Sequence, residues 1–132
     1  MVDRKPKLLV VDDETDMLDF LERVFRLRYR VKRASSGMEA LACLEHERFD
    51  VLVTDHKMPE ITGVELLEKI RGRYPRMARV LLSGFADLPE IQRAVERCGV
   101  QSFVTKPVDS DRLFEALSEA AAQLKGTRPS HG

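Results

Sequence analysis

The stretch Val51–Ile70, VLVTDHKMPEITGVELLEKI, contains a strand, the loop after it and the start of a helix. Its first four residues are apolar or β-branched, which predicts a short strand buried on both faces, and Asp55 follows where that strand ends. Thr62–Glu65, with the sequence TGVE, has the pattern of a capping box, in which two side chains satisfy free N–H groups at a helix start. Apolar residues then recur at helical spacing up to Ile70. The stretch therefore predicts one strand followed by one helix.

The same order of strand and helix repeats along the whole chain. Helical periodicity follows each predicted strand, and Ser36 and Asp87 begin two further capping-box patterns. Five strand–helix units predict a parallel sheet with helices on both faces, which is a doubly wound α/β fold. The predicted strands are Lys7–Val11, Arg30–Ala34, Val51–Thr54, Val80–Leu82 and Ser102–Thr105.

The chain length limits the number of domains, and the net charge limits the classes of binding partner. The chain has 132 residues, which is enough for one domain. We assign residues 1–124 to this domain and expect the short, polar residues 125–132 to form a tail or the stub of a linker. Lysine plus arginine and aspartate plus glutamate number 22 each, so the formal net charge is zero. This balance argues against nucleic-acid binding through bulk charge, and we expect no direct contact with nucleic acid.

The lengths of the apolar runs and the cysteine pattern indicate the compartment in which the protein works. No apolar run approaches the roughly 20 residues of a membrane-spanning helix, so we expect no membrane contact. The N-terminus lacks the apolar core of a signal peptide. Cys43 and Cys98 show neither metal-ligand spacing nor a disulfide framework, which fits a reducing compartment. The sequence therefore predicts a cytoplasmic protein.

Chemically reactive side chains follow four of the five predicted strands. They are Asp12 and Asp13 after the first strand, Asp55 after the third, Ser83 after the fourth and Lys106 after the fifth. Parallel strands present their carboxyl ends at one edge of the sheet, where open α/β sheets bind ligands. Any single aspartate here fits a simple helix N-cap equally well, but the five positions together favour a shared pocket.

The chemistry of that pocket follows from its oxygen atoms. Clustered carboxylates repel one another unless a cation neutralises them, and an all-oxygen site favours Mg²⁺. A carboxylate also acts as a nucleophile toward phosphorus and then forms an acyl phosphate. Mg²⁺ and Lys106 would stabilise charge on the transferred group, and Ser83 would donate to one of its oxygens. Phosphoryl transfer needs no protein base here, so we expect His56 to be a solvent or loop residue.

These motifs resemble, in order and spacing, the receiver domain of two-component response regulators, the CheY-like family. The likeness spans Lys7 to about Leu124 and implies a flavodoxin-like fold, with five parallel strands in the order 2-1-3-4-5 and five flanking helices. The residues that carry it are Val10–Glu14 (VVDDE), Val53–Pro59 (VTDHKMP), Gly63, Leu82–Gly84 (LSG) and Phe103–Pro107 (FVTKP).

The resemblance implies a phosphoacceptor and a metal site. Asp55 would take a phosphoryl group from a histidine kinase or a phosphotransfer protein. Mg²⁺ would be bound by Asp13, by Asp55 and by the backbone carbonyl of Lys57, with Asp12 acting largely through water.

The resemblance also implies a switch. Ser83 and Lys106 would bind the phosphoryl oxygens, and Ser83 would move toward them while Phe103 turns inward. Phe103 is equally placed to be an ordinary core residue. The peptide bond between Lys106 and Pro107 would be cis. The surface of the fourth helix, fifth strand and fifth helix would then control a partner, a second copy or an attached output domain.

Two classes of function compete for this site. The first is a signalling switch, which is not an enzyme because it catalyses only its own phosphorylation and dephosphorylation. The alternative is a Mg²⁺-dependent phosphohydrolase with an aspartyl nucleophile. Enzymes resembling haloacid dehalogenases have Asp-x-Asp after the first strand, whereas this chain has Asp12 and Asp13 adjacent and its expected nucleophile after the third strand. Turnover of a small phosphate ester would favour the enzyme.

Overall fold

The structure is a computed structural model that describes residues 5–84 and 88–126. Strands and helices alternate through these residues, as the sequence predicts. The strands are β1 (Lys7–Val11), β2 (Arg30–Ala34), β3 (Val51–Asp55), β4 (Ala78–Ser83) and β5 (Ser102–Thr105). The helices are α1 (Thr15–Phe25), α2 (Gly37–His46), α3 (Gly63–Lys69), α4 (Leu88–Cys98) and α5 (Ser110–Gly126).

The strands form one parallel sheet in the order β2-β1-β3-β4-β5. This order confirms the predicted doubly wound, flavodoxin-like fold. The chain runs from β1 outward to β2 and then returns to β3, so the strand order reverses at β1. Ligands of such sheets bind at the carboxyl ends beside the reversal. Val11 pairs with Thr54 across β1 and β3, which brings the next residues, Asp12 and Asp55, side by side.

Alternate side chains of the central strands enter two separate cores. Leu9 and Leu52 pack in the core under α2, α3 and α4. Leu8 and Val53 point the other way, into the core under α1 and α5. Successive strand side chains point to opposite faces, so a strand covered on both sides needs apolar residues at every position. This requirement explains the uninterrupted apolar runs in the sequence.

The helix starts differ in how completely they match their predicted capping boxes. Thr62 accepts a hydrogen bond from the Glu65 amide, and the Glu65 carboxylate accepts one from the Thr62 amide, so that box is complete. Ser36 likewise accepts from the Glu39 amide, but the Glu39 carboxylate bonds to Ser35 instead, so only half of that box forms. The third pattern begins at Asp87, which lies outside the described residues.

Element ends depart from the sequence analysis in three places. Strand β3 includes Asp55, and β4 runs from Ala78 to Ser83, beyond both predicted ends. The apolar pattern misses the start of β4 because Arg79 interrupts it. Arg79 is nevertheless buried there, and its guanidinium donates to the carbonyl oxygen of Met77 at 2.8 Å. Helix α5 continues to Gly126, past the predicted domain end at residue 124. The remainder of the predicted tail, residues 127–132, lies outside the described residues. None of the described helices is long and apolar enough to cross a membrane.

Candidate functional site

Three carboxylates meet at the carboxyl edge of the sheet. Asp12 and Asp13 lie directly after β1, and Asp55 ends β3, the neighbouring strand. One oxygen from each carboxylate lies within 4.8 Å of the other two. Asp12 and Asp55 are buried, whereas Asp13 is exposed. The fold therefore places three acidic groups against one another and removes two of them from water.

Asp12 is buried, and one of its carboxyl oxygens is unpaired within the part of the chain that the structure describes. Its Oδ1 accepts a hydrogen bond from the Glu14 amide at 2.9 Å, while its Oδ2 is buried with no hydrogen-bond partner among the described residues. Burial raises the pKa of Asp12 to about 6, the Glu14 amide lowers it in part, and the nearby charge of Asp55 raises it further. The N-cap of α1 is Glu14, so Asp12 is not the simple N-cap that a lone aspartate would suggest. Its carboxylate instead points an unpaired oxygen into the site.

Asp55 forms an ion pair with Lys106, which follows β5. The Lys106 Nζ lies 2.6 Å from Asp55 Oδ1. Burial raises the pKa of Asp55, and Lys106 only partly offsets this effect. Burial alone would lower the pKa of Lys106, but the carboxylates of Asp55, Asp12 and Glu14 raise it above its usual value. The ammonium group is therefore charged at neutral pH and is held against the buried carboxylate.

The donor set of the three aspartates fits a magnesium ion. Mg²⁺ holds oxygen ligands at about 2.0–2.1 Å in an octahedron, so its ligand oxygens lie roughly 3–4 Å apart. Carboxylate oxygens that already lie within 4.8 Å of one another need little movement to reach that spacing. A bound cation would also give the unpaired Oδ2 of Asp12 a partner, directly or through water. A buried carboxylate without a partner is costly, and a cation at this position would remove that cost.

The two predicted switch residues lie on β4 and β5. Ser83 ends β4, and its hydroxyl donates to the carbonyl oxygen of Gly84 at 2.9 Å. Phe103 lies in β5, half-buried against the core under α2, α3 and α4. Lys57 carries an exposed side chain in the loop after β3, and the Lys106–Pro107 peptide bond is cis. The predicted site residues thus lie at the carboxyl edge or on the strands leading to it.

His56 lies in the loop after β3, as expected, but it is not exposed to solvent. This residue is buried, and its backbone amide donates to the carbonyl oxygen of Leu82, which continues the sheet past Asp55. Its carbonyl oxygen accepts from the Gly63 amide, and its Nδ1 accepts from the Val64 amide at 3.4 Å. The start of α3 packs so closely on this loop that it covers the imidazole. His56 is therefore part of the packing between the loop and the helix, not a solvent-facing residue.

Comparison with known proteins gives the same family as the motifs. The family model described as "Response regulator receiver domain" matches residues 8–118. The hydrogenase transcriptional regulatory protein HoxA of Cupriavidus necator is 37% identical over 120 residues, which cover 91% of this chain and 25% of the relative. The transcriptional regulatory protein GlrR of Escherichia coli K12 is 37% identical over 117 residues, covering 88% of this chain and 26% of the relative.

Solved structures agree with these relatives. A CheY-like response regulator receiver domain protein from Methanospirillum hungatei JF-1 has a TM-score of 0.85 at 30% identity, covering 95% of this chain and 100% of that one. A receiver domain protein from Clostridium thermocellum has a TM-score of 0.83 at 31% identity, covering 93% and 99%. The chain spans about a quarter of the length of the two curated relatives. With its motifs, its fold and these matches in agreement, the chain belongs to the response regulator receiver domain family.

Proposed function

We propose that this receiver domain is a phosphoacceptor switch, in which Asp55 takes a phosphoryl group from a histidine kinase or a phosphotransfer protein. The observation that carries the proposal is the position of Asp55. Its carboxylate is buried beside the Asp12 and Asp13 carboxylates and is paired with Lys106 at 2.6 Å. A lone structural aspartate would need neither the acidic neighbours nor the cation.

The side chains around Asp55 suit it to act as a nucleophile. A carboxylate oxygen attacks phosphorus, the phosphorus–nitrogen bond to the donor histidine breaks, and the leaving imidazole takes up a proton from water. Asp55 must be ionised for this attack, and Lys106 favours the ionised form against the effect of burial. When bound by Asp12 and Asp13, Mg²⁺ would neutralise charge on the transferred group. The exposed side of the cluster, at Asp13, leaves the donor an approach from solvent.

An apolar groove beside the site offers a place for the phosphodonor. It has a volume of about 350 Å³ and adjoins Lys106. Met17 and Phe20 of α1 line one side, and Pro107 and Val108 line the other. Since these side chains are apolar and lie next to the nucleophile, we infer that a donor protein packs on them while its phosphohistidine enters the carboxylate cluster.

The output of the switch would pass through β4 and β5. The Ser83 hydroxyl, which now bonds to Gly84, would turn to a phosphoryl oxygen on Asp55, and Phe103 would move into the space beside it. These movements would reshape the surface of α4, β5 and α5. Relatives of this chain are transcriptional regulators about four times its length. The switched surface would therefore act on an attached output domain, on a second copy or on a separate protein. That this domain makes no contact with nucleic acid stays a prediction from its zero net charge.

Phosphorylation with a small donor tests the proposal. Acetyl phosphate and Mg²⁺ should add one phosphoryl group, seen as a single mass increase of the intact protein, and omission of Mg²⁺ should prevent it. Asp55→Asn should remain unlabelled. Glu45→Gln, which removes an exposed negative charge from α2 away from the carboxyl edge, should be labelled like the wild type. Full labelling of a folded Asp55→Asn protein would overturn the proposal, and steady turnover of a phosphate ester would favour a phosphohydrolase.

A further inference from the structure

We infer that His56 is a positioning residue which, through Glu90, holds helix α4 against the phosphoacceptor loop in the phosphate-free state. The inference deepens the proposed function and rests on it. In this view the His56–Glu90 contact opposes switching, so that breaking it makes the phosphoryl-bound state easier to reach. Three observations on the loop after β3 and the first turn of α4, and one on the end of β4, carry the argument.

The backbone fixes His56 firmly to its surroundings. Its amide donates to Leu82 of β4 at 2.9 Å, and its carbonyl oxygen accepts from Gly63 at the start of α3 at 2.8 Å. A methyl group at Gly63 would overlap the carbonyl oxygen of Asp55, so α3 is pressed directly against the loop. His56 therefore cannot follow a movement of α4 without disturbing β4, α3 and the phosphoacceptor itself.

The imidazole ring is oriented by α3. Its Nδ1 accepts a hydrogen bond from the Val64 amide at 3.4 Å. A neutral imidazole carries its single proton on the other nitrogen when one nitrogen accepts, so the Nε2 of His56 bears the hydrogen. That N–H group points away from α3. The orientation of the ring is thus set before any contact with α4 is considered.

The Nε2 of His56 meets α4 at Glu90. It lies 3.3 Å from Glu90 Oε1, in the first turn of the helix. The side chain of His56 is 4% exposed, whereas that of Glu90 is 51% exposed. A single buried ring thus contacts both α3 and α4 from the residue next to Asp55. Glu90 is accessible enough to be changed without opening the core.

The connection between Ser83 and α4 makes this contact dependent on the state of the switch. Ser83 now donates to the carbonyl oxygen of Gly84, and α4 begins at Leu88. In the proposed function, turning the Ser83 hydroxyl to a phosphoryl group breaks that bond, and the surface of α4 is reshaped. Glu90 would then move relative to His56, which stays fixed. A contact that is stronger in one state than in the other biases the equilibrium by that difference.

Binding of beryllofluoride with Mg²⁺, followed by NMR titration, tests the inference. The His56–Glu90 contact is a polar contact of 3.3 Å, weaker than a well-aligned hydrogen bond, whose free energy corresponds to a factor of about 3 to 10 in an equilibrium constant. Glu90→Ala should therefore bind beryllofluoride about 2- to 5-fold more tightly than the wild type. Glu90→Gln retains the acceptor oxygen and should bind like the wild type. Glu96→Ala removes an exposed charge from the same helix and should also leave the affinity unchanged.

Two substitutions of His56 separate its contacts. The side-chain nitrogen of glutamine can replace Nε2 and reach Glu90, so His56→Gln should keep the wild-type affinity for beryllofluoride. Asparagine can replace only Nδ1 and reach the Val64 amide, so His56→Asn should behave like Glu90→Ala. A ring that only fills space would give both variants the same affinity. If either buried substitution prevents folding, the exposed Glu90 variants decide the question.

The outcomes distinguish this inference from the proposed function. Failure of the wild type to bind beryllofluoride would reject the phosphoacceptor proposal, and with it the role of His56. Binding by the wild type, with equal or weaker binding by Glu90→Ala, would reject the His56–Glu90 restraint and leave the phosphoacceptor role standing. Tighter binding by Glu90→Ala, rescued in Glu90→Gln, supports both.

Discussion

Replacing Asp12 with asparagine should stabilise the metal-free protein at neutral pH. Asp12 is fully buried, its Oδ2 has no hydrogen-bond partner among the described residues, and Asp55 adds a nearby negative charge. Asparagine has nearly the same shape and keeps an oxygen to accept from the Glu14 amide, but it carries no charge. The substitution therefore removes the cost of a buried anion while leaving the packing intact.

The size of the effect follows from the pKa of Asp12. A rise from 3.8 to about 6 corresponds to about 3 kcal/mol of difference between the protonated and ionised forms. Because the folded protein holds this proton more tightly than the unfolded chain, the contribution of Asp12 stabilises below about pH 4. It is lost as the pH rises through about 6. Asp12→Asn mimics the protonated form, so its advantage should be near zero at pH 4 and about 3 kcal/mol at pH 7.

Urea unfolding in the presence of a chelator measures this difference. Both proteins should be compared at several pH values between 4 and 7, and the gap at pH 7 should also appear as a rise of roughly 10 °C in Tm. Asp13→Asn is the matched control, because it removes the same charge from an exposed position and should change stability by less than about 0.5 kcal/mol. Mg²⁺ at a hundred times its Kd should add about 2.7 kcal/mol to the wild type and much less to Asp12→Asn.

One result would refute this reasoning. If Asp12→Asn were no more stable than the wild type in chelator at pH 7, or if its advantage were the same at pH 4, the buried charge would not be the cause. The carboxylate would then be solvated or paired in the folded protein.

Three further predictions concern the surroundings of Asp55. Gly63→Ala should destabilise the protein by about 1–3 kcal/mol in urea unfolding, because the new methyl group would overlap the Asp55 carbonyl; Gly84→Ala, with no described atom within 4 Å of the added Cβ, should have a much smaller effect. Lys106→Met should raise the pKa of Asp55 further, so labelling by acetyl phosphate should slow at neutral pH and recover partly at higher pH. Thr62→Ala should cost about 1 kcal/mol, measured in the same unfolding assay, because the complete capping box of α3 is lost.

The fold could be predicted because the apolar pattern reports burial on both faces of the sheet. Strand β3, Val51–Asp55, is buried at every residue, so no solvent-facing position interrupts its run of apolar residues before Asp55. The sequence predicts β4 too short because Arg79 interrupts its apolar run. That guanidinium is buried and donates to backbone carbonyls of the preceding loop, a tertiary arrangement that hydropathy does not reveal. The strand's extra residues are thus a consequence of packing.

The grouping of the acidic residues could be predicted for a topological reason, but their energetics could not. Parallel strands bring their carboxyl ends to one edge, so Asp12, Asp13 and Asp55 had to lie close together. The sequence does not say which of them is buried. Asp12 is buried and Asp13 exposed although their carboxylate oxygens lie within 4.8 Å of each other, and only the structure shows how far each is covered.

His56 shows where sequence reasoning fails at this site. A histidine after a strand, followed by Lys57, Met58 and Pro59, has the composition of an exposed loop. Two features of the sequence nevertheless favour burial in hindsight. The loop returns to a helix capped at Thr62, and the next residue is a glycine, which allows the helix start to approach the backbone of the loop. The hydrogen bond from the His56 amide to Leu82 extends the sheet one residue beyond the strand. The residue beside Asp55 is therefore held by the same hydrogen-bond ladder as the strand, and a residue held in this way that contacts a helix is able to restrain it.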